Sequence, residues 1–187
     1  MIRKVILALV VLLWSTHAYA QYPVLHTPKP NCHAIKAKGD QPGCLACAVF
    51  YESKSEPLEG RLAVALVTIN RTLSKEFPNT ICSAVWQTKP SRQYDWTARA
   101  SLVPDNRDQW EEALRVAHAV HELSQRSDYR SWDFTQNSMF FHAKSIRPGW
   151  RYPRIGEIGQ HVFYGLPNEV TKPRCLKILD TRVGDCK

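Results

Sequence analysis

Two apolar helical blocks joined by a short polar break constrain this chain more than any other feature. The stretch CLACAVFYESKSEPLEGRLAVALVTINR, Cys44 to Arg71, opens with apolar residues at helical spacing, turns at Pro57 and continues as a second, strongly apolar block. The spacing predicts a first helix from Cys44 to about Lys54. Ser53, with Glu56 three residues on, reads as a capping box for the next helix, and Pro57 falls where a first turn tolerates proline. That second helix runs to about Leu73. Leu58, Leu62, Ala65, Leu66, Ile69 and Leu73 form one face, widened by Val64 and Val67, which marks a mostly buried core helix. Glu52 is left where a buried helix meets a turn.

The first twenty residues read as an export signal. Arg3 and Lys4 supply a positive start, Val5 to Trp14 is uninterrupted apolar sequence, and Ala18-Tyr19-Ala20 fits a small-x-small cleavage site. The apolar run is shorter than the ~18 residues a membrane span needs, so the expectation is a removed signal with a mature start at Gln21 and no stable membrane insertion. The destination is the periplasm or the cell exterior. The remaining length suits a single domain with its own core. Net charge is +8 for the whole chain, or +6 once Arg3 and Lys4 leave with the signal. There is no basic run that would suggest nucleic acid. A modest positive excess suits a polyanionic partner such as the cell envelope, and equally suits solubility alone.

Six cysteines, Cys32, Cys44, Cys47, Cys82, Cys175 and Cys186, follow the signal. An even count in an exported chain reads as disulfides. Cys44-x-x-Cys47 also has the spacing of a redox pair or half a zinc site, though no second CxxC exists.

Residues 21–43 are rich in Pro, Lys and Gly without periodicity and read as an extended N-terminal arm, with Cys32 as a tether. After the Phe77-Pro78-Asn79 break comes a short apolar segment, Ile81 to Trp86. Gln87 to Val103 is polar and irregular around the knot Gln93-Tyr94-Asp95-Trp96. A third helix is predicted from about Asp108 to Gln125, capped by Asp105 or Asn106, with Trp110, Leu114, Ala117 and His121 on one face. Phe134 to His142 suits one or two short strands, and Ile155 to Phe163 a further helix or strand turn. The tail from Leu166 reads as loop.

Glu52 is the leading chemical candidate. Desolvation at a helix-to-turn junction raises a carboxyl pKa and keeps it a proton donor near neutral pH, as cleavage of a glycosidic bond requires. Glu56 and Glu59 lie in the first turn of the next helix, where acids complement the helix dipole without any catalytic task. His118, His121, His142 and His161 form no HExxH-type signature, and a lone histidine on an apolar face is more often a hydrogen-bonded core residue than a ligand. The many aromatic residues, Tyr94, Trp96, Trp150 and Tyr164 among them, suit sugar stacking as well as core packing.

Three segments in order resemble the SleB/CwlJ-type cell wall hydrolases, the spore cortex-lytic family. AVFYESKSEPLEGRLAVALVTINR is similar to the family's catalytic helix, Glu-Pro turn and Asn-Arg ending. FPNTICSAVWQ followed by QYDW is similar to its Phe-Pro-x-Thr-x-Cys segment and Gln-aromatic knot. FFHAKSIRPGWRYPRIGEIGQHVFY resembles its His-Ala, Pro-x-Trp and Ile-Gly-x-His-x-Phe-Tyr run. The resemblance implies a lysozyme-like single domain, α+β and mainly α with a small β element, over residues 44–187. It implies a monomer that cuts peptidoglycan glycan strands without a cofactor. Glu52 matches the catalytic glutamate. Glu56, Gln93, Tyr94, His142 and His161 match positions near the cleft, and Ser53, Trp96 and Tyr164 join them as expected substrate contacts. Some members carry a cysteine pair at Cys44 and Cys82, which implies a disulfide there, with Cys175 to Cys186 closing the tail and Cys32 and Cys47 remaining.

The chain departs from the family where many members have Glu-Ala-Arg-Gly-Glu: here Glu52-Ser53-Lys54-Ser55-Glu56 stands, and Arg61 replaces a common Gln. With one well-placed carboxylate, a lytic transglycosylase is expected, because a single glutamate serves as acid and then base. Two alternatives remain. One is a zinc-dependent N-acetylmuramoyl-L-alanine amidase using His142 and His161; the other is an inactive peptidoglycan-binding module.

Overall fold

The computed structural model describes residues 30–169. The expected export signal and a Cys175–Cys186 bridge fall outside them.

Within the stretch expected to be extended, a helix forms: α1, Cys32–Lys38. The Asn31 carboxamide accepts from the His33 and Ala34 N–H groups, and Gly39, at φ 68°, closes the far end with its N–H on the Ile35 and Lys36 carbonyls. Glycine fits that left-handed position because it has no Cβ to clash. Seven residues are too few to show a period, so the arm hid its helix. The Cys32–Cys47 disulfide staples α1 to the next element.

Helix α2, Gln41–Ser53, starts earlier than expected because the Asp40 carboxylate caps the Gly43 N–H at 3.0 Å. Every residue from Gly43 to Phe50 is buried. This is the central helix, packed against α1, α3 (Leu58–Leu73), α4 (Ile81–Val85) and α5 (Arg107–Ser124). Each large apolar side chain so buried contributes about 1.5–3 kcal/mol over an exposed one. A second disulfide, Cys44–Cys82, ties the start of α2 to α4, the pairing that the family resemblance implied.

The expected capping box does not form. The Ser53 hydroxyl donates back to the Val49 carbonyl at 2.8 Å, Glu56 turns elsewhere, and Pro57 itself is the N-cap of α3 without a side-chain cap. Helix α3 is buried all round from Ala63 to Arg71, whereas Leu58 and Leu73 at its ends are exposed. The single apolar face read from the sequence was thus too narrow at the middle and too long at the ends. Helix α5, capped by Asn106, turns Trp110, Ala113, Val116, Ala117 and Val120 inward, leaving Leu114 and His121 at the margin.

A short helix, α6 (Tyr129–Trp132), leads into the sheet: β1 Phe140–Ala143, β2 Arg154–Ile158 and β3 His161–Tyr164, antiparallel in the order β1-β3-β2. Alternation sends Phe141 and Phe163 inward, where Phe163 packs with Ala63 and Val67 of α3. The mainly helical α+β class is the observed one, and the stretch expected to hold one or two strands, Phe134 to His142, supplies one, beginning at Phe140.

Candidate active site

Glu52 lies in the last turn of α2, partly buried, with Arg71 from the last turn of α3 and Tyr94, Asp95, Trp96 and Arg99 from the 3-10 turn at Asp95–Ala98 and its flanks within reach of its charge. Burial drives its pKa up to about 7. The Trp96 indole N–H and the Arg71 guanidinium oppose that rise, the Asp95 carboxylate adds to it, and Arg99 opposes it further. The Trp96 N–H, itself buried, reaches toward the carboxyl without meeting hydrogen-bond geometry. A carboxyl held in this way is half protonated near neutral pH.

The site is walled by aromatic rings. Trp96 stacks on Tyr51 with centroids 4.8 Å apart and meets Trp86 edge-on, while Tyr94 packs against Trp96 and Phe141. The Tyr94 hydroxyl is buried on Thr68 Oγ1 at 2.7 Å, and burial raises its pKa. Arg71 is buried between Tyr94 and Phe77, its Nε donating to the Met139 carbonyl at 2.8 Å. Among the described residues its Nη1 has no hydrogen-bond partner, and its charge acts on Glu52. Beside it, Asn70 fixes the turn before β1: its Nδ2 donates to Asp133, Thr135 and the Ser138 carbonyl, and its Oδ1 accepts from the Tyr129 hydroxyl.

Glu56 is buried and pins the sheet to the α2–α3 turn. Its Oε2 accepts from the Gln160 N–H at 2.8 Å, and Oε1 lies 3.9 Å from His161 Nδ1. Burial lowers the His161 pKa, Glu56 opposes this and His142 adds to it. Gly159, at φ 56°, leaves room for Glu56, since a Cβ there would overlap Oε2. His142 stacks on Tyr164; its Nε2 lies 3.1 Å from the Tyr164 hydroxyl and its Nδ1 2.8 Å from the Ala143 carbonyl.

The expected site residues therefore separate. Glu52, Tyr94 and Trp96 come together, but Tyr94 and Trp96 are wall rather than platform, each all but inaccessible. Ser53 is buried, with its hydroxyl spent on Val49, so it is a packing residue and not an open sugar contact. Glu56 and His161 form the sheet anchor, His142 and Tyr164 a ring pair on the other face of β1, and Gln93 is half-exposed on Ser91. Arg71 and Arg99 were missed. The Asn-Arg ending of the helix was the signal for Arg71; nothing in the local sequence marks Arg99. The departures from the family pattern serve contacts: Lys54 bonds Asp105 at 2.9 Å, and Arg61 pairs with Glu112 at 3.3 Å.

The family model described as Cell Wall Hydrolase matches residues 55–164. The chain belongs to the cell wall hydrolase family. The match takes in Arg71, the 3-10 turn and the whole sheet of this cell wall hydrolase, and begins just past Glu52. Similar proteins include the spore cortex-lytic enzymes of Oceanobacillus iheyensis, 30% identical over 64% of this chain and 39% of that one, and of Bacillus cereus, 29% identical over 64% and 42%. The chain thus spans about two-fifths of the length of these relatives. Among solved structures, the catalytic domain of the Bacillus cereus SleB protein is 28% identical, covering 68% of this chain and 90% of that one at a TM-score of 0.47. The catalytic domain of the germination-specific lytic transglycosylase SleB from Bacillus anthracis is 27% identical, at 68%, 94% and 0.47.

A zinc amidase would need His142 and His161 as ligands. Both His142 nitrogens are engaged, His161 is turned to Glu56, and among the described residues no three His, Cys, Asp or Glu side chains converge. The residues do not fit such a centre.

Proposed function

We propose that this chain cleaves the peptidoglycan glycan strand between N-acetylmuramic acid and N-acetylglucosamine as a lytic transglycosylase, with Glu52 as the one catalytic acid and base. The observation that carries the reading is the carboxyl of Glu52, held near neutral pKa at the end of the central helix beside buried aromatic and cationic groups. Membership of the cell wall hydrolase family and similarity to spore cortex-lytic enzymes support the substrate.

Protonated Glu52 gives its proton to the bridging oxygen as the C1–O bond breaks. The C6 hydroxyl of the muramic residue then attacks C1, closing a 1,6-anhydro ring, and its proton returns to the Glu52 carboxylate. No water is consumed. Arg71 and Arg99 stabilise the carboxylate formed between the two steps, and the Trp96 N–H completes a hydrogen bond to it. Residues 44–187 form the catalytic domain in this reading, with α1 bonded onto it. The protein acts as an exported monomer, in the periplasm or outside the cell; the two disulfides support export.

Asp95 carries the competing reading. Its charge is felt at Glu52, and a second carboxylate can hold a water or act as nucleophile for hydrolysis. Glu52→Gln and Asp95→Asn test the two together on purified sacculi. We expect Glu52→Gln to release no soluble fragments and Asp95→Asn to keep activity within a few-fold of wild type. Fragment release by Glu52→Gln at wild-type rate would remove Glu52 from the chemistry.

A further inference from the structure

The outward face of the sheet carries aromatic residues that the core does not use. Alternation along β1 and β3 turns Phe140, His142 and Tyr164 away from Phe141 and Phe163. The β1–β2 loop lays Trp150 and Tyr152 over them. Tyr152 stacks on Phe140 with centroids 4.4 Å apart, and Trp150 stands edge-on to both His142 and Tyr164. Trp150 is 40% and Tyr152 38% exposed, so both side chains are accessible from solvent. Five rings gathered on the solvent side of a three-stranded sheet form a contiguous apolar patch of the kind that marks an interaction site.

The charge around the patch specifies what sits on it. Lys144, Arg147 and Arg151 lie on the β1–β2 loop and Arg154 opens β2, all exposed. The one acidic side chain among them, Glu157, is already engaged by Lys144 at 2.9 Å and by Arg154 at 2.5 Å. Arg147 and Arg151 have no ion pair among the described residues. An apolar patch beside uncompensated guanidinium groups matches a ligand with flat C–H faces and carboxylates together. A glycan strand with carboxylate-bearing stem peptides has both.

We propose that this face is a second, non-catalytic binding surface for peptidoglycan, with Trp150 and Tyr152 stacking on sugar rings while Arg147 and Arg151 take stem-peptide carboxylates. The surface rests on the proposed substrate but not on the proposed chemistry. It lies on the opposite side of β1 from Phe141, the strand's contact with the Tyr94 wall. Its task is to hold the enzyme on insoluble wall between cuts.

The test is pelleting with purified sacculi in the Glu52→Gln background, where the wall stays intact. Trp150→Ala combined with Tyr152→Ala should weaken pelleting about ten-fold, and Trp150→Phe should restore most of the loss contributed by that position. Arg147→Gln with Arg151→Gln should weaken binding to intact sacculi but not to sacculi stripped of stem peptides, and added salt should imitate the substitution. Equal loss on stripped sacculi would assign the cations to another wall anion and overturn the peptide half of the proposal. With Glu52 intact, the aromatic variants should keep wild-type rates on short soluble glycan fragments and lose rate on sacculi. Unchanged pelleting by the aromatic double variant, with unchanged Tm, would overturn the proposal, while inactivity of wild type on all glycans, with pelleting still lost in the variant, would overturn only the chemistry. Equal loss of rate on fragments and sacculi would place these rings in the cleft instead.

Discussion

Glu52 concentrates a conflict between stability and function. Its carboxyl is held at about 7 against an ordinary value of 4.5, so the native state keeps the proton that the unfolded chain gives up. The fold therefore loses stability as pH rises from about 4.5 to 7, and the loss is complete above that window. Glu52→Gln should leave stability unchanged below pH 4.5 and raise it by about 1–3 kcal/mol above pH 7, read by urea unfolding at both pH values. A flat difference across pH would contradict the burial argument. In the proposed mechanism the same titration governs rate: a group that must enter the reaction protonated gives a kcat/KM that falls about ten-fold per pH unit above its pKa of about 7. At this scale the sequence placed Glu52 at a helix-to-turn junction, and it stands in the last turn of α2, because its helix and the Pro57 turn are local features. Arg71, Arg99 and the Trp96 N–H were not legible, because they reach the carboxyl from segments distant in sequence.

Among the elements, the joint between the α2–α3 turn and the sheet is the most exacting. Glu56 satisfies the Gln160 N–H across the domain. Glu56→Ala removes the acceptor of that part-buried donor and should cost about 0.5–1.5 kcal/mol, whereas Glu56→Gln keeps an acceptor oxygen and should cost less. Gly159→Ala places a Cβ against the same carboxylate at a φ of 56° and should destabilise at least as much as Glu56→Ala; urea midpoints order the three. The sequence placed Glu56 in a capping box because Ser53 and Glu56 have the spacing, but a partner 104 residues away won the carboxylate. Helices α2, α3 and α5 were legible from their apolar period. Helix α1 was too short to show one, and the β2–β3 hairpin was ambiguous because its pattern suits a strand turn or a helix.

At the level of the whole molecule, two disulfides fasten the helical half, linking α1 to α2 and α2 to α4. Closing loops of 15 and 38 residues stabilises the fold by about 3–4 kcal/mol each where native geometry is unstrained. Paired Cys44→Ser and Cys82→Ser should lower Tm strongly while leaving the Glu52 end of α2, remote from the bridge, able to act at low temperature. Non-reducing peptide mapping should recover Cys32 with Cys47 and Cys44 with Cys82. How this assembly breaks a glycan is tested most directly by digestion of sacculi in heavy-oxygen water, followed by mass spectrometry of the fragments. A transglycosylase acting through Glu52 leaves 1,6-anhydro-muramic ends without label. Reducing ends carrying one labelled oxygen would contradict it, and would make water, held by Asp95, the nucleophile.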